Sequence, residues 1–483
     1  VLKINLQDIS QPRALLMTLR LADGSSLDLQ QVVRVVKKKR LVCIALWQGE
    51  MVYAKVFIGD NAKRYAQRDA KGIQYLQQHH IPTPALIQWT QAPNEQAEVL
   101  LIKAHPQAMN IEVVMKKSTG KERLGLALRV VETVAKHHLV NLIQTDLYFK
   151  NFLIEGETVL TIDGDGIRQY RQITDKQAIE NLSILLSKLD VLDIEAWLAE
   201  LLKCYHQVNP KPILDIDAIN QQLNKHRLKV ASQYASKKVF RQCSDVSVRQ
   251  TWQSFMAITS DDAKTISFDV LDHIDSHLVG ADLLKDGNSC TVMLATFGQT
   301  PTVIKRYNIK NIMHLISRMW RPSRASASWE NASRLCLLEI PTPAPIALFE
   351  TRFFGFRGKA YFLSEYVEAP DIAQFFALIK DKDLRAMTVR KTVELFYRLY
   401  LLKLSHGDMK ATNVKVVDNA PMLIDLDSMK QHTWHYFAQK AHVRDLKRFM
   451  QNWKHDTSLY NAFLKNFKVI YADHAVLHQA HLI

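Results

Sequence analysis

The stretch Leu404–Met429, LSHGDMKATNVKVVDNAPMLIDLDSM, decides how this chain is read. Asp408 stands five residues before Asn413, and Asp425 comes 12 after Asn413. A carboxylate, an amide and a second carboxylate in that order can serve a hydroxyl and a metal-bound phosphate chain. A second stretch, Gln144–Ile167, QTDLYFKNFLIEGETVLTIDGDGI, sets Asp146, Asn151 and Asp163 at the same spacings. Both stretches contain Ile-Asp-x-Asp, at Ile162–Asp165 and Ile424–Asp427, and Ile-Pro-Thr-Pro occurs at both Ile81–Pro84 and Ile340–Pro343. We read an internal duplication.

The five-residue Asp-to-Asn step is that of the protein-kinase catalytic loop, H-R-D-L-x-x-x-N. The fold expected is α+β: two tandem protein-kinase-like domains, residues 1–244 and 245–483, each a small antiparallel β N-lobe with a helical C-lobe. In each, the first Asp (Asp146, Asp408) is the expected catalytic carboxylate. Asn151, Asp163 and Asp165, and Asn413, Asp425 and Asp427, are the candidate metal ligands. Lys410 is a further catalytic candidate, placed to neutralise the phosphate in transfer.

Working outward through the first half, residues 15–58 alternate as strands do. Within them Tyr53-Ala54-Lys55-Val56 is similar to V-A-I-K, whose lysine holds the α- and β-phosphates of ATP. A strand lysine snorkelling to solvent is the plainer reading; the downstream loop tips it toward the nucleotide. The turn Lys37-Lys38-Lys39-Arg40 has no glycine for a phosphate-cradling loop, so either its charged side chains substitute for backbone amides or it is a solvated hairpin tip. A helix over residues 61–80 offers Asp69 as the acid that pairs with Lys55. Val99–Ile102 is expected as the strand to the interlobe hinge, residues 121–138 as the helix before the loop, and residues 175–205 as closing helices.

In the second half, Leu283–Ala295 reads as strand, turn, strand. Gly287-Asn288-Ser289 keeps one glycine of the kinase G-x-G-x-x-G, which makes Gly287 and Asn288 ATP-binding candidates. Val303-Ile304-Lys305-Arg306 is the better lysine strand. No acid occurs from Gly287 to Trp329, while Lys305, Arg306, Lys310, Arg318, Arg321 and Arg324 all do. A single-sign stretch with Trp320 and Trp329 suits a phosphorylated or membrane-surface substrate, where an ordinary solvated loop mixes signs. Glu330, the first acid after the gap, opens a helix to Glu339 and by elimination partners Lys305. Tyr361–Val367 is a buried strand running to a hinge, with Glu365 near the adenine edge. No A-P-E sequence follows Asp427, which disfavours a protein substrate.

Composition bounds the rest. At 483 residues and 47% apolar, two to three globular domains are expected. A formal charge of +15 points to an anionic partner: phosphorylated glycan, anionic lipid headgroups or nucleic acid. No nucleic-acid recognition module is visible, so that partner is not expected. Five scattered cysteines without CxxC suggest reduced thiols in a cytosolic protein. No apolar run of 18 residues and no leader is seen, so no spanning helix or secretory signal is expected.

VIKRYNIK (Val303–Lys310), RPSRASASWENASRL (Arg321–Leu335), IPTPAPIALFE (Ile340–Glu350), SEYVEAPD (Ser364–Asp371), HGDMKATN and LIDLD together resemble the bacterial lipopolysaccharide kinase family, kinase-fold enzymes that phosphorylate Kdo or heptose in the inner core. The resemblance covers most of residues 280–450. The first half is similar mainly at QTDLYFKNF and TIDGDG, giving a tandem form. It implies ATP- and Mg2+-dependent transfer of the γ-phosphate to a sugar hydroxyl of lipopolysaccharide. The partner is then the phosphorylated core glycan on lipid A, and the place is peripheral, at the anionic cytoplasmic face of the inner membrane. Asp408 would be the base, Asn413 and Asp425 the metal ligands, and Lys305 with Glu330 the ATP clamp. Asp-Leu-Asp replaces D-F-G, which leaves Asp427 open between a metal contact and a polar turn residue.

The first half has Gln144 where the second has His406 and Tyr148 where it has Lys410, so the second half is the expected catalyst. The first is open between a second kinase site and a binding or scaffolding pseudokinase. Two other readings of the chain stand beside this one: a choline- or aminoglycoside-type phosphotransferase, which would carry an acidic pocket, and a tandem pseudokinase that binds glycan or organises an assembly.

Overall fold

The computed structural model describes residues 6, 9, 11–211, 213–287, 290–307, 322–353, 356–472 and 474–483. The chain separates into two compact units, Val1–His226 and Arg227–Ile483. The division falls inside the helix Ile216–Ser236, ahead of the sheet strand that starts at Val246.

The first unit begins with a six-stranded antiparallel sheet. Its strand Glu50–Phe57 alternates as a half-buried strand must. Val52, Ala54 and Val56 enter one core with Leu27, Leu41, Cys43 and Leu101, while Tyr53 and Lys55 face the other way. On that second side lies the helix Ala62–Gln78, whose Ala66, Ala70 and Ile73 pack against Leu100 and Ile102. Gly72 of this helix touches the turn after Asp163 backbone to backbone: a Cβ on Gly72 would stand 1.9 Å from the Gly164 carbonyl oxygen. Helices Gly120–Leu139, Asp175–Leu186 and Val191–Val208 then close an aliphatic core around Leu182, Leu185, Leu198 and Leu201. Asp175–Leu186 starts with a capping box, Thr174 with Gln177, which satisfies donors the first turn leaves open.

The second unit has a seven-stranded antiparallel sheet. Its lysine strand, Thr300–Tyr307, buries Thr302 and Ile304 and turns Val303 and Lys305 to the opposite face. Two of its strands, Val246–Gln250 and Ser254–Thr259, precede Leu283–Ala295, where the sequence reading of this half begins. The following helix is Arg324–Leu337, opened by Ser323, whose hydroxyl accepts from the Ser326 amide; it does not start at Glu330. The helical half is aromatic: Phe396, Phe449, Phe463 and Phe467 meet with ring centroids 4.8–5.9 Å apart where neighbours touch. Such pairs add specific geometry to burial. Among the described residues no helix is long and apolar enough to cross a membrane. Lys310, Arg318, Trp320 and Arg321 of the basic stretch, and Asn288, lie outside the described residues.

Candidate active site

The loop His406–Asn413 is held from below. Asp445, buried in the helix His435–Met450, accepts from the His406 amide at 2.6 Å and the Gly407 amide at 3.0 Å. Burial raises the Asp445 carboxyl above its ordinary range, against the pull of His406 and the two amides. Gly407 has φ +81°, and a Cβ there would stand 2.7 Å from the Ser428 carbonyl, so a side chain is excluded. His406 Nε2 meets the Ile424 carbonyl at 2.9 Å and ties the loop to the strand end that carries Asp425.

Above this floor the Asn413 amide nitrogen donates to the Asp408 carbonyl at 2.8 Å and to its carboxylate at 3.3 Å. Arg448, one helical turn beyond Asp445, reaches Asp408 Oδ1 at 2.5 Å, and Lys410 Nζ lies 3.5 Å from Oδ2. Asp425 takes a left-handed backbone, φ 63°, uncommon outside glycine. It points at Lys305, whose ammonium donates to it at 3.1 Å. Burial opposes ionisation of Asp425, but Lys305, His406 and Arg324 hold its carboxyl below the usual carboxylate range. Lys305, Lys410, Asn413, Asp425, Glu365 and Gly287 line one cleft of about 440 Å³. With its amide nitrogen committed, Asn413 keeps its oxygen for a cation, and Asp425 supplies a carboxylate. Two hard oxygens are what Mg2+ takes from a protein when phosphates and water complete its shell.

Two expectations need correction. Glu330 does not partner Lys305; it pairs with Arg334 one turn along its own helix. Counting back 12 residues from the shared Ile-Pro-Thr-Pro gives Asp69 in the first half but Ser328 in the second, buried against the Tyr307 hydroxyl at 2.9 Å. The acid position is a serine, so Lys305 turns to Asp425. Nor are Asp427 and Asp165 among the residues that line the two clefts with Asp425 and Asp163. The short turn after each preceding Asp swings them onto arginines of the neighbouring helix, Arg324 at 2.8 Å and Arg68. Among the described residues no three His, Cys, Asp or Glu side chains gather as a metal cluster.

The first unit repeats much of this frame. Asn151 donates to the Asp146 carbonyl at 2.6 Å, Gln144 Nε2 donates to the Ile162 carbonyl at 3.1 Å where His406 meets Ile424, and Asp163 has φ 69°. Thr83 and Thr342 of the two Ile-Pro-Thr-Pro segments donate to Thr161 and Leu423, each one residue before the Ile-Asp pair, at 2.8 and 2.9 Å. Lys55 donates to Asp69 at 2.7 Å and lies 3.5 Å from Asp163. Lys55, Asn151 and Asp163 line a cleft of about 430 Å³. Asp146 is exposed and has no ion-pair partner among the described residues. Tyr148 stands where Lys410 would, its ring under Lys150 and Lys188 at 4.7 and 4.3 Å. Below the loop, Asn181 replaces Asp445 and donates to the Gln144 carbonyl at 2.9 Å.

Sequence reading missed Asp445, Arg448 and Arg34, whereas Arg40 belongs to the turn whose charged side chains it weighed as a substitute for backbone amides. The Asp445-x-x-Arg448 spacing, one helical turn, was the available signal for the first two.

Residues 288–471 match the lipopolysaccharide kinase (Kdo/WaaP) family. The matched span holds Lys305, Asp408, Lys410, Asn413, Asp425, Asp445 and Arg448, so these residues fall in the part of the chain that is similar to a lipopolysaccharide kinase family. It lies wholly within the second unit. No curated protein matches the chain.

Proposed function

We propose that the second unit is an ATP- and Mg2+-dependent kinase that transfers the γ-phosphate to a heptose or Kdo hydroxyl of the lipopolysaccharide inner core, working at the cytoplasmic face of the inner membrane. The observation that carries this is the convergence of Lys305, Asn413 and Asp425 on one cleft, with Asp408 hydrogen-bonded to Asn413 beside it, inside the family match. Asp408 takes the proton of the attacking hydroxyl, its carboxylate oriented by Arg448 and the Asn413 amide. Lys305 binds the α- and β-phosphates, Lys410 neutralises the transferring group, and Glu365 borders the adenine. Asn413 and Asp425 would hold Mg2+, which supplies charge neutralisation to the phosphate chain. The first unit is a diverged copy of the same fold.

The cleft's basic lining, Lys285, Lys305, Arg324, Lys410 and Lys415, favours an anionic acceptor over the cationic one of a choline-type enzyme. Trp434, Tyr436 and Phe437 stand 70%, 65% and 56% exposed at the start of the Asp445 helix. Aromatic side chains of this kind seat at a lipid headgroup layer. Mass spectrometry of lipopolysaccharide core from cells lacking the gene, with and without an Asp408→Ala copy, tests the reading. The expected result is a missing phosphate that this variant does not restore; an unchanged phosphate count overturns it.

A further inference from the structure

Asp163 and Asp425 occupy matching places, with the same left-handed backbone and the same loop behind them, yet their surroundings differ in charge. Among the described residues Asp425 pairs with one cation, Lys305 at 3.1 Å, and its side chain is 34% exposed. Asp163 meets three: Lys55 at 3.5 Å, Arg40 at 3.6 Å and Arg34 at 3.9 Å, and is 17% exposed. Arg40 also binds Asp69 at 3.3 Å, so it is anchored at two points.

Both arginines come from the two strands, Ser26–Val36 and Arg40–Trp47, joined by the turn of three lysines. That turn is pinned, because the Lys39 carbonyl accepts from the Ile58 amide at 2.9 Å. It lies where a kinase folds glycine amides over phosphates, and here guanidinium groups reach in instead. Guanidinium is always charged and matches phosphate oxygens in pairs. A divalent cation placed at Asp163 would face three fixed positive charges, whereas a phosphate chain would be neutralised by them. The rest of the cleft has an apolar wall, including Val42, Tyr53, Ile102 and Leu153, which suits the faces of a planar base, and exposed Lys103 and Lys150 line it as well.

We propose that the first unit's cleft binds a nucleoside triphosphate without a divalent cation, Arg34, Arg40 and Lys55 standing in for the metal, and does not transfer its phosphate. This rests on residues of the first unit alone and survives or fails separately from the reading of the second.

Calorimetric titration of the full chain with ATP in EDTA tests it. One binding site is expected, weakened about tenfold or more by Arg34→Gln and by Arg40→Gln, and untouched by Lys305→Ala. Arg34 is half exposed, so its variant keeps the test open should Arg40→Gln unfold, as circular dichroism would reveal. Asp163→Asn is the sharpest arm. A metal-dependent site loses binding with its ligand; the site proposed here binds ATP as well or more tightly once the competing carboxylate is gone. Absence of binding in EDTA, loss of that binding in Lys305→Ala, or its loss in Asp163→Asn each overturns the proposal. Inorganic triphosphate and a sugar phosphate serve as the other ligands: either binding as tightly as ATP overturns the nucleoside assignment.

Discussion

The two units hold the same backbone frame around different charges. Gln144 does what His406 does toward the strand behind it, Asn151 what Asn413 does, and Thr83 what Thr342 does, to within a few tenths of an ångström. What differs is the set of groups that act on a bound molecule. Asp408 has Arg448, Lys410 and a floor carboxylate, Asp445; Asp146 has none of the three. Conversely, Lys55 has its helix acid, Asp69, while the second unit has Ser328 at that place. A hydrogen-bonded frame tolerates substitution that preserves donors and acceptors, whereas phosphoryl transfer depends on positioned charge and is lost when one group goes.

The largest effect that could break this contrast is catalytic. Asp408→Ala should lower phosphate transfer by about 10³-fold, within the range for removing a general base, and Asp425→Asn comparably. Asp146→Ala should change the rate by no more than about twofold on the same scale. Transfer from radiolabelled ATP to isolated core oligosaccharide measures all three. Equal losses from Asp408→Ala and Asp146→Ala would erase the distinction between the units.

Next in size is the floor. Asp445→Asn removes a buried carboxylate that accepts two loop amides, and we expect kcat down by roughly 10²-fold with KM for ATP little changed. Asn181→Asp in the first unit should leave kcat alone. Steady-state kinetics at several ATP concentrations separates these outcomes.

Packing gives a third and smaller test. The first unit sets its helix on the Asp163 turn through Gly72, and the second uses Asn331, which donates to the Leu426 and Met429 carbonyls at 2.9 and 3.0 Å. Gly72→Ala should destabilise by roughly 1–3 kcal/mol or more through overpacking, and Asn331→Ala by roughly 1–3 kcal/mol by stranding buried carbonyls. Urea melts report both. No shift for Gly72→Ala would mean that the helix can back away from the turn.

The smallest effect is with pH. Burial holds His137 and His138 of the first unit neutral, down to about 3 and about 4, and His442 of the second down to about 3. Because the folded values lie below the unfolded one, about 6.5, their contribution is present above that pH and is lost as pH falls toward 4. Unfolding near pH 5 should take up about two protons from this source in the first unit and about one in the second. Acid titration of urea midpoints, with His138→Gln as control, checks the difference.

Much of this was open in the residues themselves. The spacings Asp146-Asn151-Asp163 and Asp408-Asn413-Asp425, the two Ile-Pro-Thr-Pro anchors and the alternation around Lys55 and Lys305 marked the loops and the sheet faces, because short-range hydrogen bonds and strand periodicity are local properties. Lys55 with Asp69 was legible for the same reason: one strand, one helix and a short link between them. What only the tertiary structure decided is which distant charges meet. Elimination along the chain pointed to Glu330, yet Lys305 found Asp425, 120 residues away. Asp427 was given to Arg324, and two arginines of a hairpin were delivered to Asp163. Coulomb partners are selected by distance in space, and no spacing in a linear sequence encodes that until the fold has closed.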